Sequence, residues 1–500
     1  MNRSKSVIKN TIWEMGYYII VIAFGFLAPR YIILYYSSEV NGLSSTITHI
    51  LNIILMLQAG ATTAAIYSLY KPISENNHED ICRNIASAER FFKRISFIFG
   101  GLMIAVAVVT PFVLNTNLNK LCVFIAFVIM GAKSFMDLYF TAKFRIVFTA
   151  FQQKYYISIA TLIEQIIYYA LVFVTIYFHG HYVFLYVWFL LGCLIKILCL
   201  EIMFKKAHPN IKTDQYRGEI SKIGDRNYAL ANEVSHSLMT SSVTILMSFM
   251  YGLAEASVYS VYALVSEALS LIATSIYSSF APGFGNLYAQ GNDKNSSRVF
   301  SIFQYIYVML NTFLMMCMLF AVVPFVKIYT AGASDIDYVN YLLATMMVLS
   351  GIFSAYRVPY NVIVSSCGFF KETWLQPVIS VVICIGISVG LGRVNYSLIM
   401  VGLVVFYIIN FVYQHFKIKK LLPWMVRNKA FVFLLISLVG IVITCFLNTY
   451  LIFPDGVLYW ILYSVLFAVL VFCYIIVASL LVARTEFFES VRYLKRLIKK

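Results

Sequence analysis

Runs of twenty or more apolar residues recur from one end of this 500-residue chain to the other. About twenty such residues, rising 1.5 Å each, carry a helix across a ~30 Å hydrocarbon layer. A membrane barrel would show alternating strands of about ten residues instead. The expected fold class is therefore an all-α integral membrane protein. Composition agrees, with 61% hydrophobic and 12% charged residues, where a soluble domain holds about 25% charged. Fourteen spans are expected, at 12–36, 43–70, 95–115, 121–142, 155–178, 181–204, 229–251, 256–281, 299–325, 338–364, 372–391, 394–416, 430–449 and 457–482. The basic start MNRSKSVIKN leads into an apolar run too long for a signal peptide, with no small-residue cleavage site, and reads as an uncleaved first span.

The net charge of +16 does not point to nucleic acid, because the basic residues sit in short loops, where they orient spans. With the N-terminus inside, thirty-one of the 38 Lys and Arg fall on the inner side, and only Lys120, Lys327 and Arg393 fall outside. Both termini are then cytoplasmic. The remaining four, Arg30, Lys133, Lys196 and Arg357, lie within spans. The longest inner connection, 205–228, divides a six-helix lobe at 1–204 from a second at 229–416, whose organisation looks like a repeat of the first. Two further spans occupy 417–482, and the basic tail 483–500 reads as an amphipathic helix on the inner leaflet. Nine cysteines are scattered without CxxC or a His/Cys metal spacing, so they read as small apolar packers.

The stretch 27–72 draws attention first: Arg30 after Pro29, a short polar turn carrying Asn41-Gly42, then 28 residues without formal charge up to Lys71-Pro72. Its run NGLSSTITHILNIILMLQAGATTAAIYSLYKPISENN resembles the second span of bacterial polysaccharide-unit flippases, the Wzx-type branch of the multidrug/oligosaccharidyl-lipid/polysaccharide (MOP) exporter superfamily. FRIVFTAFQQKYYIS looks like that family's fourth-to-fifth inner loop, ILMSFMYGLAEASVYSVY its seventh span and turn, SIYSSFAPGFGNLYAQGN its eighth-span exit, and PFVKIYTAG with DYVNYLL its ninth-to-tenth outer loop. The resemblance covers about residues 10–420 and implies two six-helix lobes around a central cavity alternately open to either side. It also implies a bacterial cytoplasmic membrane protein whose cargo is an undecaprenyl-pyrophosphate-linked oligosaccharide for O-antigen, capsule or a similar polysaccharide. Its surroundings would be membrane lipids, a polysaccharide polymerase and a chain-length regulator.

Charge at bilayer depth is costly and needs a reason. For Arg30 the choice lies between snorkelling to the outer surface and binding phosphate through its planar fork; Pro29 would distort the helix beside it. Lys133 and Asp137, spaced i,i+4, share a helix face and read as an internal ion pair, with Glu164 at similar depth as the alternative partner. Lys196 is close enough to Lys205 to snorkel in part. Arg357 in RVPYN faces either a cavity or the surface, with Pro359 opening the helix around it. A cationic cavity would thus draw on Arg30, Lys133, Lys196 and Arg357. Glu267, mid-span with no basic residue within a turn, is expected to be a buried acid: a hydrogen-bond donor, or an ion-coupling site together with Glu164 and Asp137. Glu14 and Glu233 lie near inner ends, and His49 and His236 read as polar helix contacts.

Three functions compete. A flippase for lipid-linked oligosaccharide fits basic residues in the spans. A drug or metabolite antiporter would call for an acidic cavity if its cargo were an organic cation. A membrane polymerase or ligase would need a long outer loop, and the longest here is about 327–337. No catalytic constellation and no nucleotide-binding signature stands out, so no cofactor is expected and ATP drive would need a separate protein.

Overall fold

The computed structural model describes residues 3–58, 60–211, 226–291, 293–425, 429–450 and 456–498, and every structural statement below concerns these residues. They are helical, with no strand among them. Twelve of the helices are long and apolar enough to cross a membrane. The two other expected spans, 43–70 and 229–251, differ from that set for different reasons. The first is broken. The second is a continuous helix, Arg226–Met250, but its serines and threonines make it too polar to count by composition. Most of the expected 205–228 connection, residues 212–225, lies outside the described residues.

The chain forms two compact units, Met1–Val234 with Tyr251–Ser257, and Ser235–Met250 with Val258–Lys500. In the first unit, α1 (Arg3–Tyr35) runs unbroken through Pro29. Asn41-Gly42, expected in the outer turn, lies inside α2 (Ser38–Leu55) instead. Ser37 caps that helix by accepting from the Val40 amide at 3.4 Å, so the turn closes at Tyr36–Ser37. Asn41 is buried and donates to the Ser257 hydroxyl at 2.8 Å. Gly42 is where the Leu253 carbonyl comes close: a Cβ there would stand 1.8 Å from that oxygen.

The expected single helix over 43–70 is interrupted by a 3₁₀ turn at Met56–Gln58 and by Gly60, whose φ of 71° is left-handed. Glycine reaches that region at no steric cost, so the chain re-enters helix as α3 (Ala61–Ser74), which continues two residues past Pro72. After α4 (His78–Val113) comes α5 (Lys120–Ala150), which contains a π-helical turn at Asp137–Thr141. It extends well beyond the expected end at 142, leaving only residues 151–154 as a loop before α6 (Tyr155–Tyr177) and α7 (Val183–Ala207).

In the second unit, α8 (Arg226–Met250) contributes its later part and α9 (Leu253–Ala289) all but its start. The most buried helix is α10 (Asp293–Tyr329). It packs on α11 (Tyr341–Cys367), and α12 (Phe370–Gly392) packs on α13 (Tyr396–Leu421). The helices α14 (Lys429–Tyr450) and α15 (Val457–Val482) also pack on α10. Phe320 stacks on Phe467 with ring centres 3.9 Å apart, and Thr312 shares a hydrogen bond with Ser437 at 2.6 Å. A polar seam, in which Gln304 donates to the Tyr360 hydroxyl and that hydroxyl meets His415 at 2.8 Å, ties α10, α11 and α13 together. Such side-chain bonds hold helices together where apolar burial alone gives no preference over lipid. The tail forms α16 (Arg484–Ile498), outside the twelve apolar spans.

Candidate functional site

Buried charge collects in the first unit where α5, α6 and α7 meet. Glu164 of α6 is 1% exposed and Lys196 of α7 is 7% exposed. They meet at 2.9 Å through Glu164 Oε2. Gly192 makes room: a Cβ there would lie 3.2 Å from the Glu164 carbonyl and 3.3 Å from its Cγ. Lys196 also pairs with Asp137 Oδ1. Lys133 approaches Glu164 Oε1 at 3.7 Å, and its ammonium stands 4.5 Å from the centre of the Phe189 ring. The expected partnership of Lys133 with Asp137 therefore gives way to Glu164, while Asp137 takes Lys196 and Arg145.

Arg145 belongs to this cluster although its position in sequence placed it with the inner-side charges. Eight residues advance an α-helix by about 800°, about 80° off the starting face. The π-helical turn at Asp137–Thr141 absorbs one extra residue, which returns Arg145 to within about 20° of Asp137. Its Nη2 donates to Asp137 Oδ2 at 3.1 Å. Three cations and two carboxylates leave the cluster with one surplus positive charge. Glu164 Oε1 accepts no hydrogen bond. A cavity of about 70 Å³ opens beside Lys133, Asp137 and Arg145, against Gln58 at the break between α2 and α3.

In the second unit Arg357 of α11 is 8% exposed, which excludes a snorkelling side chain. Its helix is continuous through Pro359, so the expected opening there does not occur. Its guanidinium lies 5.8 Å from the centre of the Tyr407 ring on α13, a cation–π distance. The Tyr407 hydroxyl in turn meets His236 Nε2 at 3.1 Å, in keeping with His236 as a polar helix contact. The Nε–H of Arg357 has no acceptor, and no carboxylate pairs with this arginine among the described residues. Sequence reasoning named Arg357 and His236 but missed Tyr407, since one tyrosine among 37 carries no signal of its neighbour.

The other two candidates stand apart in character. The Glu267 side chain is accessible on α9 yet lies deep among surrounding atoms, in keeping with the expected desolvated acid, and it forms no hydrogen bond or ion pair among the described residues. Its helix also exposes Leu271 and Ile272. Arg30 is half-buried on α1, which packs on α6 through Phe24 with Tyr169 and Tyr31 with Phe173, at ring-centre distances of 5.1 and 5.5 Å.

In fold the chain is similar to the lipid II flippase MurJ in an inward closed conformation, with a TM-score of 0.65 and 15% identity over 94% of this chain and 98% of that one. It is also similar to an inward-facing multidrug resistance MATE family transporter of the MOP superfamily, with a TM-score of 0.64 and 11% identity over 80% and 95% of the two chains. A MOP superfamily transporter from Pyrococcus furiosus follows at 0.56 and 13%, over 84% and 96%. No family model matches the sequence, and no curated protein does. At such identities the likeness shows the fold alone, which this chain shares with these three structures.

Proposed function

We propose that this chain, built on that fold, is a flippase that moves an undecaprenyl-pyrophosphate-linked oligosaccharide repeat unit across the bacterial cytoplasmic membrane. Movement is by alternating access, and both termini are cytoplasmic. The observation that carries this reading is Arg357: a guanidinium at bilayer depth with no carboxylate to neutralise it and a donor left unused. Such a group is costly unless an anion comes to it. A pyrophosphate carries about two negative charges, and entering a low-dielectric interior unpaired would cost it many kcal/mol. Arg357 supplies the counter-charge.

The test is complementation of a bacterial strain lacking its own repeat-unit flippase. Surface polysaccharide returns with the intact chain and is lost with Arg357→Ala at equal membrane levels. Failure of the intact chain to restore surface polysaccharide contradicts the flippase reading, and full output from Arg357→Ala removes Arg357 from its mechanism. An ion-coupled antiporter is the second reading, favoured by one observation, the unpaired Glu267 carboxylate. It requires export of a soluble compound against its gradient, in vesicles holding no lipid-linked glycan.

A further inference from the structure

A pocket of about 370 Å³ lies within the first unit, among the early turns of α1, the start of α3, the end of α5 and the start of α6. Small-molecule sites begin at about 300 Å³. Residues Arg145, Lys154, Glu14, Tyr17, Thr62 and Thr161 are among those that line it. Arg145 spends one nitrogen on Asp137, and its guanidinium carries further N–H donors. Lys154 is exposed and makes no ion pair among the described residues. The Thr161 hydroxyl gives its proton to the Ile157 carbonyl at 2.9 Å, so toward the pocket its oxygen accepts. The frame is fixed by Asn10, which donates to the Gln152 carbonyl at 3.1 Å and accepts from the Tyr155 amide at 2.9 Å, pinning α1 to the loop before α6.

Two cations beside a carboxylate and hydroxyl acceptors make a surface for one anionic group joined to a polyol. We infer that this pocket binds a sugar phosphate, with the phosphate between Arg145 and Lys154 and sugar hydroxyls donating to Glu14 and Thr161. The inference rests on the flippase reading for its biological source: the sugar nearest the cargo's phosphates, met on the side that the charge distribution assigns to the cytoplasm. The same chemistry could come from a phospholipid headgroup. Because Arg145 also pairs with Asp137, phosphate bound here competes for a partner of the buried cluster.

The experiment is saturation-transfer NMR on the purified full-length chain in detergent, with glucose 1-phosphate and glycerol 3-phosphate as separate probes and inorganic phosphate as competitor. Glucose 1-phosphate should bind saturably and be displaced by phosphate, and Lys154→Gln should weaken it by about tenfold. Thr161→Val should weaken glucose 1-phosphate while leaving inhibition by phosphate in place. Lys154 is exposed and Thr161 loses only a hydroxyl, so both variants should fold. Absence of saturable glucose 1-phosphate binding, or equal binding to Lys154→Gln, overturns the site. Equal binding of glycerol 3-phosphate overturns the cargo sugar as its source. If the probe binds as stated while the intact chain fails to restore surface polysaccharide in the flippase-lacking strain, the pocket stands and the flippase reading falls.

Discussion

Arg145 and Asp137 stand eight residues apart on one helix and still meet at 3.1 Å, because α5 widens by a π-helical turn between them. Through that contact an arginine near the end of α5 joins a cluster whose Glu164 and Lys196 are buried. The cluster's weakest member is Lys133, which reaches only Glu164, at 3.7 Å, whereas Lys196 serves both carboxylates.

The two lysines should therefore differ in their effect on stability. Lys196→Met leaves Asp137 and Glu164 short of their shared cation and should destabilise by about 3–5 kcal/mol. Lys133→Met should cost clearly less. Thermal unfolding of the purified variants in detergent gives the ranking, and adding Glu164→Gln to Lys196→Met should recover part of the loss. Equal melting temperatures for the two lysine variants would contradict the assignment of Lys196 as the shared partner.

Gly42 offers a second check, on packing. An alanine Cβ there would sit 1.8 Å from a backbone oxygen, so Gly42→Ala should abolish the folded protein or cut its yield severalfold. Gly101→Ala on α4 meets nothing within 4 Å and should be neutral or stabilising by up to about 1 kcal/mol. Membrane levels and size-exclusion profiles compare the pair directly.

How far the fold could be read in advance depended on the kind of signal. Long apolar runs announce spans because lipid demands them at every position, so the helical class was legible throughout. The break at Met56–Gly60 was not, since Met, Leu, Ala and Gly keep the run apolar while Gly60 changes the backbone. Lys133, Asp137, Glu164 and Lys196 were visible as charges out of place, but their pairing depends on Gly192 and the π-helical turn, neither of which hydropathy records. For Glu267, apolar neighbours mark a span without saying which face is accessible.

At the other end of the chain, Lys429 bonds to Glu486 at the start of α16. Burial pushes the Glu486 carboxyl up, but hydrogen bonds from Lys429 and Thr485 outweigh it and hold the carboxyl below its ordinary value. A depressed folded-state pKa contributes stability above the unfolded value of about 4.3, and that stability is lost as pH falls through the folded one. Hydrogen exchange along α16 should thus quicken at acid pH in the intact chain, after correction for the intrinsic rate. Glu486→Gln should show faster exchange already at neutral pH and little further change on acidification. An identical profile for both proteins would remove this contact from the anchoring of α16.

For Glu267, exposure on α9 changes what a substitution means. An exposed carboxylate with no partner contributes little to folding, so Glu267→Gln should leave melting temperature and membrane level unchanged. If Glu267 couples transport to an ion, the same variant should abolish gradient-driven movement in proteoliposomes while cargo binding persists. Transport that stays gradient-dependent in Glu267→Gln removes this residue from coupling.

The most direct measurement places the purified chain in proteoliposomes with a fluorescent undecaprenyl-pyrophosphate-linked saccharide and follows the label's accessibility to an external quencher. The intact chain should move the lipid between leaflets, Arg357→Lys should retain part of that rate, and Arg357→Ala should lose at least about tenfold. A rate for Arg357→Ala equal to that of the intact chain, or no movement by the intact chain above protein-free vesicles, would contradict the account.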